Sequence, residues 1–506
     1  MWNTKESRVA LFAAFATFLI HLAGNPHYGF FRDELYFIIC GQHPQWGYVD
    51  QPPVAPILAV ASQMFGHSLF LLRAFPAFFA VGGVYASCLL ALEFGGGVYA
   101  EILTALVVFF APVLVNFGMK VSPDMVGLWL WPLATLYVVR LTKGADRRWW
   151  LAIGTIIGIC IQSKYSVVFF AVAMLAGLLL TAERRILFTR WFIAGGIVAG
   201  LIALPNFLWQ AHFAFPMLEL LRNVQHGKNV IVGPLMYLFQ QILIMGMLLS
   251  VVWIIGWVWL LWNARFRFLG YAFPILIGLM IVMHGKHYYP ADAYPCLMAA
   301  GAVAIANWTN GLRIARVAVA AFVLVVGIAF IPLTMPVLPE QQFVIYRIWL
   351  MKSLHIGHEA LATEHQRDPQ LGSDYADMHG WPELAEIVAR VYRSLPPSER
   401  AEAVVLAQNY GEAAAIEFFG AKYGVPAVIS GHNQYYLWGP QGHTGNIVIC
   451  VGGNCRDVAR AFTSSESAAR FSAPWIQPYE DGIPIMVCRG IKRPLAELWP
   501  KAKLYQ

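Results

Sequence analysis

Phe31-Arg32-Asp33-Glu34-Leu35-Tyr36-Phe37 comes just after the apolar run of residues 8–24, and that junction decides the fold class. A bilayer-crossing helix needs about 20 apolar residues, so the run reads as a first span. The acidic pair then falls at a membrane surface. No small-residue cleavage signal marks Met1 to Arg8 and the run behind it as a removed leader. Working outward, ten further apolar segments follow at residues 68–92, 98–118, 123–141, 149–163, 165–181, 190–209, 234–261, 268–283, 292–308 and 314–333. The composition agrees. The chain is 58% hydrophobic and 12% charged, with a mean hydropathy of +0.58, whereas soluble domains carry about 25% charged residues.

Charge placement tests this count independently. With the N-terminus in the cytoplasm, the inside connections hold Lys143, Arg147 and Arg148; Arg184, Arg185 and Arg190; Arg265 and Arg267; and Arg313 and Arg316. The positive-inside rule expects this; the exception is the 93–97 turn, with Glu93 and glycines. The net charge of +7 could suggest nucleic acid, but these short clusters form no contiguous basic face, which argues against it as the partner. An odd number of spans places everything after about Pro336 outside the cytoplasm. The polar segments Asn25 to Gln51, Lys120 to Asp124, Gln162 to Lys164, Asn206 to Asn229 and His284 to Tyr294 all open on that outer side. Such convergence is what a site at a membrane surface requires.

From Pro339 onward charged and amide residues become frequent. Residues 403–407, 427–430, 446–450 and 483–487 read as short buried strands, and 412–419 and 454–462 as helices between them. The expected fold is a polytopic α-helical membrane domain over residues 1–335 with a soluble α/β domain over 336–506. Cys40, Cys88, Cys160 and Cys296 lie in or beside apolar runs, whereas Cys450, Cys455 and Cys488 fall in the outer domain. One disulfide is expected there, its pairing open.

Adjacent carboxylates point in different directions, so Asp33 and Glu34 need not share a role: one can take a proton while the other orients a loop through a Lys or Arg. In Gly47-Tyr48-Val49-Asp50-Gln51-Pro52-Pro53 the tandem prolines stiffen the chain and fix how Asp50 faces the loop. Asp124 starts a span after Pro123, where a carboxylate also suits helix electrostatics. Lys164 interrupts an apolar hairpin, a costly place for an unpaired charge. Lys286, flanked by His284, His287, Tyr288 and Tyr289 and followed by Asp292, suits a phosphate joined to a lipid tail, and Arg73 is a further cation. The outward histidines include no recognised ligand spacing, so no metal is assigned, with a divalent ion such as Mg²⁺ or Mn²⁺ left open. No Gly-rich nucleotide loop is present.

Taken in order, Asp33-Glu34, the Tyr48-to-Pro53 stretch, Leu72-Arg73, Ser122-Pro123-Asp124, Ser163-Lys164-Tyr165 and Lys286 with Tyr288-Tyr289 resemble a known class. It is the bacterial side of the dolichyl-phosphate-mannose protein mannosyltransferase superfamily, which includes the lipid A aminoarabinose transferase and has the GT-C architecture. The resemblance covers residues 8–333 and continues into Ile429 to Gly439. It implies a GT-C-like bundle of about eleven transmembrane helices and an inverting glycosyltransferase of the inner membrane, moving a hexosyl or pentosyl group. The donor would be a polyprenyl-phosphate-linked sugar and the acceptor a cell-envelope hydroxyl on a lipid, glycan or protein. It also implies Asp33 as catalytic carboxylate with Glu34 as partner, and Lys286, Lys164 and Arg73 at the donor phosphate. Tyr48, Asp50, Asp124, His287, Tyr288, Tyr289 and Asp292 would then line the pocket. Relatives often carry a basic residue before the Pro-Pro pair, where this chain has Gln51. The alternative is a transporter or flippase, against which stand the absence of a clear inverted repeat and the clustering of polar groups at one face.

Overall fold

The computed structural model describes residues 4–227, 230–355 and 367–506. The apolar runs fold as helices that gather into one multi-pass membrane bundle. Four are long and apolar enough to cross a bilayer alone: Leu69–Glu93, Met125–Thr142, Arg190–His212 and Arg313–Leu333. Lipid-facing sides are evident on two of them. Ile193, Ile197, Leu201 and Phe207 are more than half exposed on one, and Val317, Val325 and Ile328 on the other. No water-facing surface would leave such stripes uncovered.

The expected count of eleven spans is not confirmed, and two of the expected runs are broken. Residues 98–118 form two helices, Val98–Phe110 and Pro112–Met119, bent by 67°; Pro112 cannot continue the helix before it and instead opens the next. Residues 234–261 likewise divide into Pro234–Ile244 and Ser250–Trp262, with Gly246 at φ 83° in the break. Other expected spans, Trp149–Ile161, Ser166–Leu179, Arg267–Val282 and Tyr294–Trp308 among them, are helices shorter than a full crossing. By length and composition the described residues hold four spans, or five with the bent pair.

Small residues let helices approach closely, the usual device in lipid. A Cβ on Gly256 would lie 1.8 Å from the Leu297 carbonyl oxygen, and one on Gly301 would lie 1.9 Å from that of Val252. The helices Ser250–Trp262 and Tyr294–Trp308 are therefore in backbone contact.

One end of the bundle is basic. There Glu93 accepts from Arg140 Nε at 2.9 Å and Lys143 Nζ at 2.6 Å, which accounts for the one acidic turn among the basic connections. The other end gathers the polar segments, joined by side-chain bonds. Val121 N donates to Glu34 Oε1 (3.1 Å), Ser163 Oγ to the Pro123 carbonyl (2.8 Å), and Asn206 Nδ2 to the Trp46 carbonyl (2.9 Å). Lys164 pairs with Asp124 and lies over the rings of Tyr288 and Tyr289. Lys228 and Asn229, the last residues of the Asn206–Asn229 segment, lie outside the described residues, as do Met1 to Asn3.

The C-terminal part caps this polar end. Its sheet runs β2 (Val428–Ser430), β1 (Ala403–Ala407), β3 (Ile447–Val451), β5 (Ile483–Ile491), β4 (Phe462–Phe471). β1 is parallel to β2 and β3, and β5 is antiparallel to β3 and β4. Sequence pattern located four of the five strands. The expected helix over 454–462 is shorter, Cys455–Ala459, and Phe462 already begins β4. β4 lacks alternation because Thr463 to Ala468 are all exposed on the sheet edge. Cys450 bonds to Cys455, and Cys488 is a buried free thiol.

Candidate active site

Asp33 and Glu34 occupy the first turn of helix Arg32–Gln42, where the helix dipole favours acids. Their surroundings are opposite. Glu34 is fully buried, and its carboxylate accepts from Phe31 N (2.9 Å), Val121 N, and Arg73 through Nε (3.3 Å) and Nη2 (3.1 Å). Arg73, equally buried, sends its remaining donors to the carbonyls of Asn25, His27 and Gly29 at 3.2, 3.1 and 2.7 Å. All five guanidinium N–H groups are thereby engaged. The expectations for both residues change accordingly: Arg73 has no donor left for a phosphate, and Glu34 is sealed from any reacting atom. Together they fix the loop that carries Asp33.

Asp33 keeps one third of its side chain exposed. Its Oδ1 accepts from the Tyr410 hydroxyl of the outer domain at 2.8 Å and from Arg32 Nε at 3.4 Å. The hydrogen bonds to Asp33 all fall on Oδ1. Arg32 also donates to the Tyr479 hydroxyl (2.7 Å), pairs with Asp377 (3.7 Å) and lies over the Tyr410 ring. Burial pushes the Asp377 carboxyl up to about 6, with Arg32 opposing the shift.

Asp50 lies beside this group. It accepts from Tyr36 at Oδ1 (3.0 Å) and from Asn433 at Oδ2 (3.1 Å), and the rings of Tyr36 and Tyr410 are 4.6 Å apart. Burial, aided by the Asp33 charge and resisted by the Tyr36 bond, pushes its carboxyl up to about 7. Gln434 ties the same loop to the outer domain through Val49 N and the Tyr36 hydroxyl, at 3.1 and 3.2 Å. Tyr48, expected in the pocket, is instead fully buried, its hydroxyl donating to the Cys40 carbonyl at 2.8 Å. It folds the loop.

A second group adjoins through the 120–124 segment. Lys120 pairs with Asp374 at 2.9 Å and lies over the Phe31 ring. Against the penalty of burial, Lys120 and Asn116 hold the Asp374 carboxyl below its usual range. Beyond it come the Lys164–Asp124 pair, Tyr288, Tyr289 and the buried Asp292, which presses on Gly127. Lys286 lines a shallow depression with Ile231, Tyr237, Gln240, His284 and His287. His287 is driven down to about 4, first by burial and then by Lys286, so it is neutral at pH 7. The structure therefore brings Asp33, Asp50, Asp124, Lys164 and Lys286 to one end of the bundle, and removes Arg73, Glu34 and Tyr48 into its supports. Among the described residues no group of three His, Cys, Asp or Glu side chains could hold a metal ion. Sequence reasoning missed Tyr410 and Asp377; the Asn409-to-Glu412 capping pattern locates a helix start, but nothing there singles out Tyr410.

Residues 50–209 match the family model described as dolichyl-phosphate-mannose-protein mannosyltransferase. Across nearly the whole chain the fold is similar to that of ArnT from Cupriavidus metallidurans bound to undecaprenyl phosphate. The TM-score is 0.58 at 14% identity, covering 96% of this chain and 98% of that one. The chain has the fold of this ArnT structure. The same protein in its apo state gives a TM-score of 0.58 at 14% identity, covering 94% and 96% of the two chains. No curated protein matches this chain. The matched range includes Asp50, Asp124 and Lys164, and Asp33 and Lys286 lie outside it.

Proposed function

We propose that the chain is an inverting glycosyltransferase that takes a sugar from a polyprenyl-phosphate-linked donor and places it on a hydroxyl of a cell-envelope acceptor. One observation carries this reading: a partly exposed carboxylate hydrogen-bonded through one oxygen, Asp33, shares an end of a membrane bundle with Lys164, which is set over Tyr288 and Tyr289. The family match and the undecaprenyl phosphate bound by the similarly folded ArnT favour the same donor chemistry.

The acceptor oxygen attacks the anomeric carbon while its proton passes to Asp33. The bond from that carbon to the phosphate oxygen breaks, and the lipid phosphate leaves with the electron pair. Lys164 and Lys286 stabilise the charge growing on it; to reach it, Lys164 exchanges its Asp124 partner. A single displacement inverts the anomeric centre. Lipid supplies much of donor binding, at about 0.8 kcal/mol per buried methylene. The basic opposite end and the Cys450–Cys455 disulfide favour an outward-facing site in the cytoplasmic membrane, with the C-terminal domain outside.

Purified protein in lipid, given radiolabelled polyprenyl-phosphate sugars and envelope extracts, tests the reading. Asp33→Asn lowers label transfer by about 10²- to 10⁴-fold, and Lys286→Ala by about 10²-fold, each with unchanged folding. Full transfer by Asp33→Asn removes the proposed base. Counterflow of an unmodified solute without transfer replaces the enzyme with a transporter.

A further inference from the structure

We propose that Tyr410, supplied by the outer domain, is the positioning residue that selects which oxygen of Asp33 meets the substrate, so that the membrane domain is competent only with the outer domain seated. The inference rests on the proposed role of Asp33 and adds to it the part played by the C-terminal domain.

The carboxylate of Asp33 can rotate, and two groups decide its orientation. The Tyr410 hydroxyl and Arg32 Nε both donate to Oδ1, leaving Oδ2 to receive the acceptor's proton. Of these, the tyrosine bond is the shorter, 2.8 against 3.4 Å. Tyr410 is itself held on every side. Asn409 caps its helix by accepting from Glu412 N at 2.9 Å, and the carboxylate of the buried Glu412 accepts in turn from Asn409 N. The Tyr410 ring packs against Tyr36 of the Asp33 helix, tilted by 38°, and lies under Arg32. Close approach needs Gly411, where a Cβ would fall 2.4 Å from Arg32 Cγ. A hydroxyl so braced is a fixed reference point for a side chain that is otherwise one third exposed. Small misplacements of a reacting group cost large factors in rate.

The step is unchanged in its balance: the oxygen–carbon bond forms, the carbon–phosphate-oxygen bond breaks, the proton goes to Oδ2, and the lipid phosphate carries off the electron pair. Tyr410 gains and loses nothing. It acts through Asp33 alone.

The full chain in lipid, with the radiolabelled polyprenyl-phosphate sugar that supports transfer, provides the test. Tyr410→Phe keeps the ring and deletes the hydroxyl. We expect kcat to fall about tenfold while KM for the donor, donor-binding stoichiometry and melting temperature stay at wild-type values. Lys503→Ala breaks the outer domain's 2.7 Å pair with Glu219, which involves neither Asp33 nor Tyr410, and is expected to keep wild-type kcat. A wild-type kcat in Tyr410→Phe overturns the inference; so does an equal fall in Lys503→Ala, which would assign the loss to docking alone. Should Tyr410→Phe not accumulate as folded protein, Gly411→Ala, which pushes Arg32 and the helix apart, must lower kcat with donor KM unchanged, and overturns the inference if it does not. Asp33→Asn separates the two readings. If it retains transfer, the proposed base fails; if it is inactive while Tyr410→Phe is not impaired, only the positioning role fails.

Discussion

Arg73 spends its whole guanidinium on protein acceptors, and Glu34 is the one charge among them. Neither side chain has any exposure, so removing one partner strands the other without water. Arg73→Met should cost about 3–5 kcal/mol, read as a large drop in melting temperature and in monodisperse yield from detergent. Glu34→Gln keeps acceptor and donor atoms and should cost less. The sequence showed that adjacent acids have different outlooks, and it placed Asp33 and Glu34 just beyond a span. It could not pair Glu34 with a residue 39 positions away. Nor could it separate a phosphate-binding arginine from a loop clamp, since both read as an isolated cation near a helix start.

Helices in this bundle meet through missing side chains. At the crossing of Ser250–Trp262 and Tyr294–Trp308 the two glycines face the partner's carbonyls, so a single methyl separates the backbones. Gly256→Ala or Gly301→Ala should reduce the yield of folded protein and lower its melting temperature by several degrees, whereas alanine at Gly278, which meets nothing within 4 Å, should leave both unchanged. Apolar runs revealed where helices lie because lipid and core demand the same residues. Breaks inside a run leave a weaker trace: Gly246 sits among Met and Leu, and only Pro112 carried a visible warning. β4 was illegible for the opposite reason, since an exposed edge strand has no buried face to impose a period of two.

The two domains are joined across titratable groups. In the folded protein Asp50 holds its proton to about pH 7, well above a free carboxyl. Between about pH 4 and 7 the unfolded chain has released that proton while the native one retains it, so this residue's contribution to stability falls across that window and is level above it. Asp50→Asn should therefore gain stability relative to wild type as pH rises from 5 to 7, with a constant difference beyond. Melting curves at several pH values, with proteolysis of the outer domain as a second readout, check this. At this scale the sequence reading was strongest: alternating charge and hydropathy predicted that five polar segments share one end, and the bonds among four of them, with Lys164 lying over Tyr288 and Tyr289 of the fifth, place them together.

Helix Leu69–Glu93 is fastened near one end by Arg73 to the Asp33 loop and at the other by Glu93 to Arg140 and Lys143. A rod bolted at both mouths cannot piston or swivel without breaking an ion pair. In the proposed reaction, entry and exit of the donor's lipid tail would move other helices, with this one as the stationary frame against which any gate would swing.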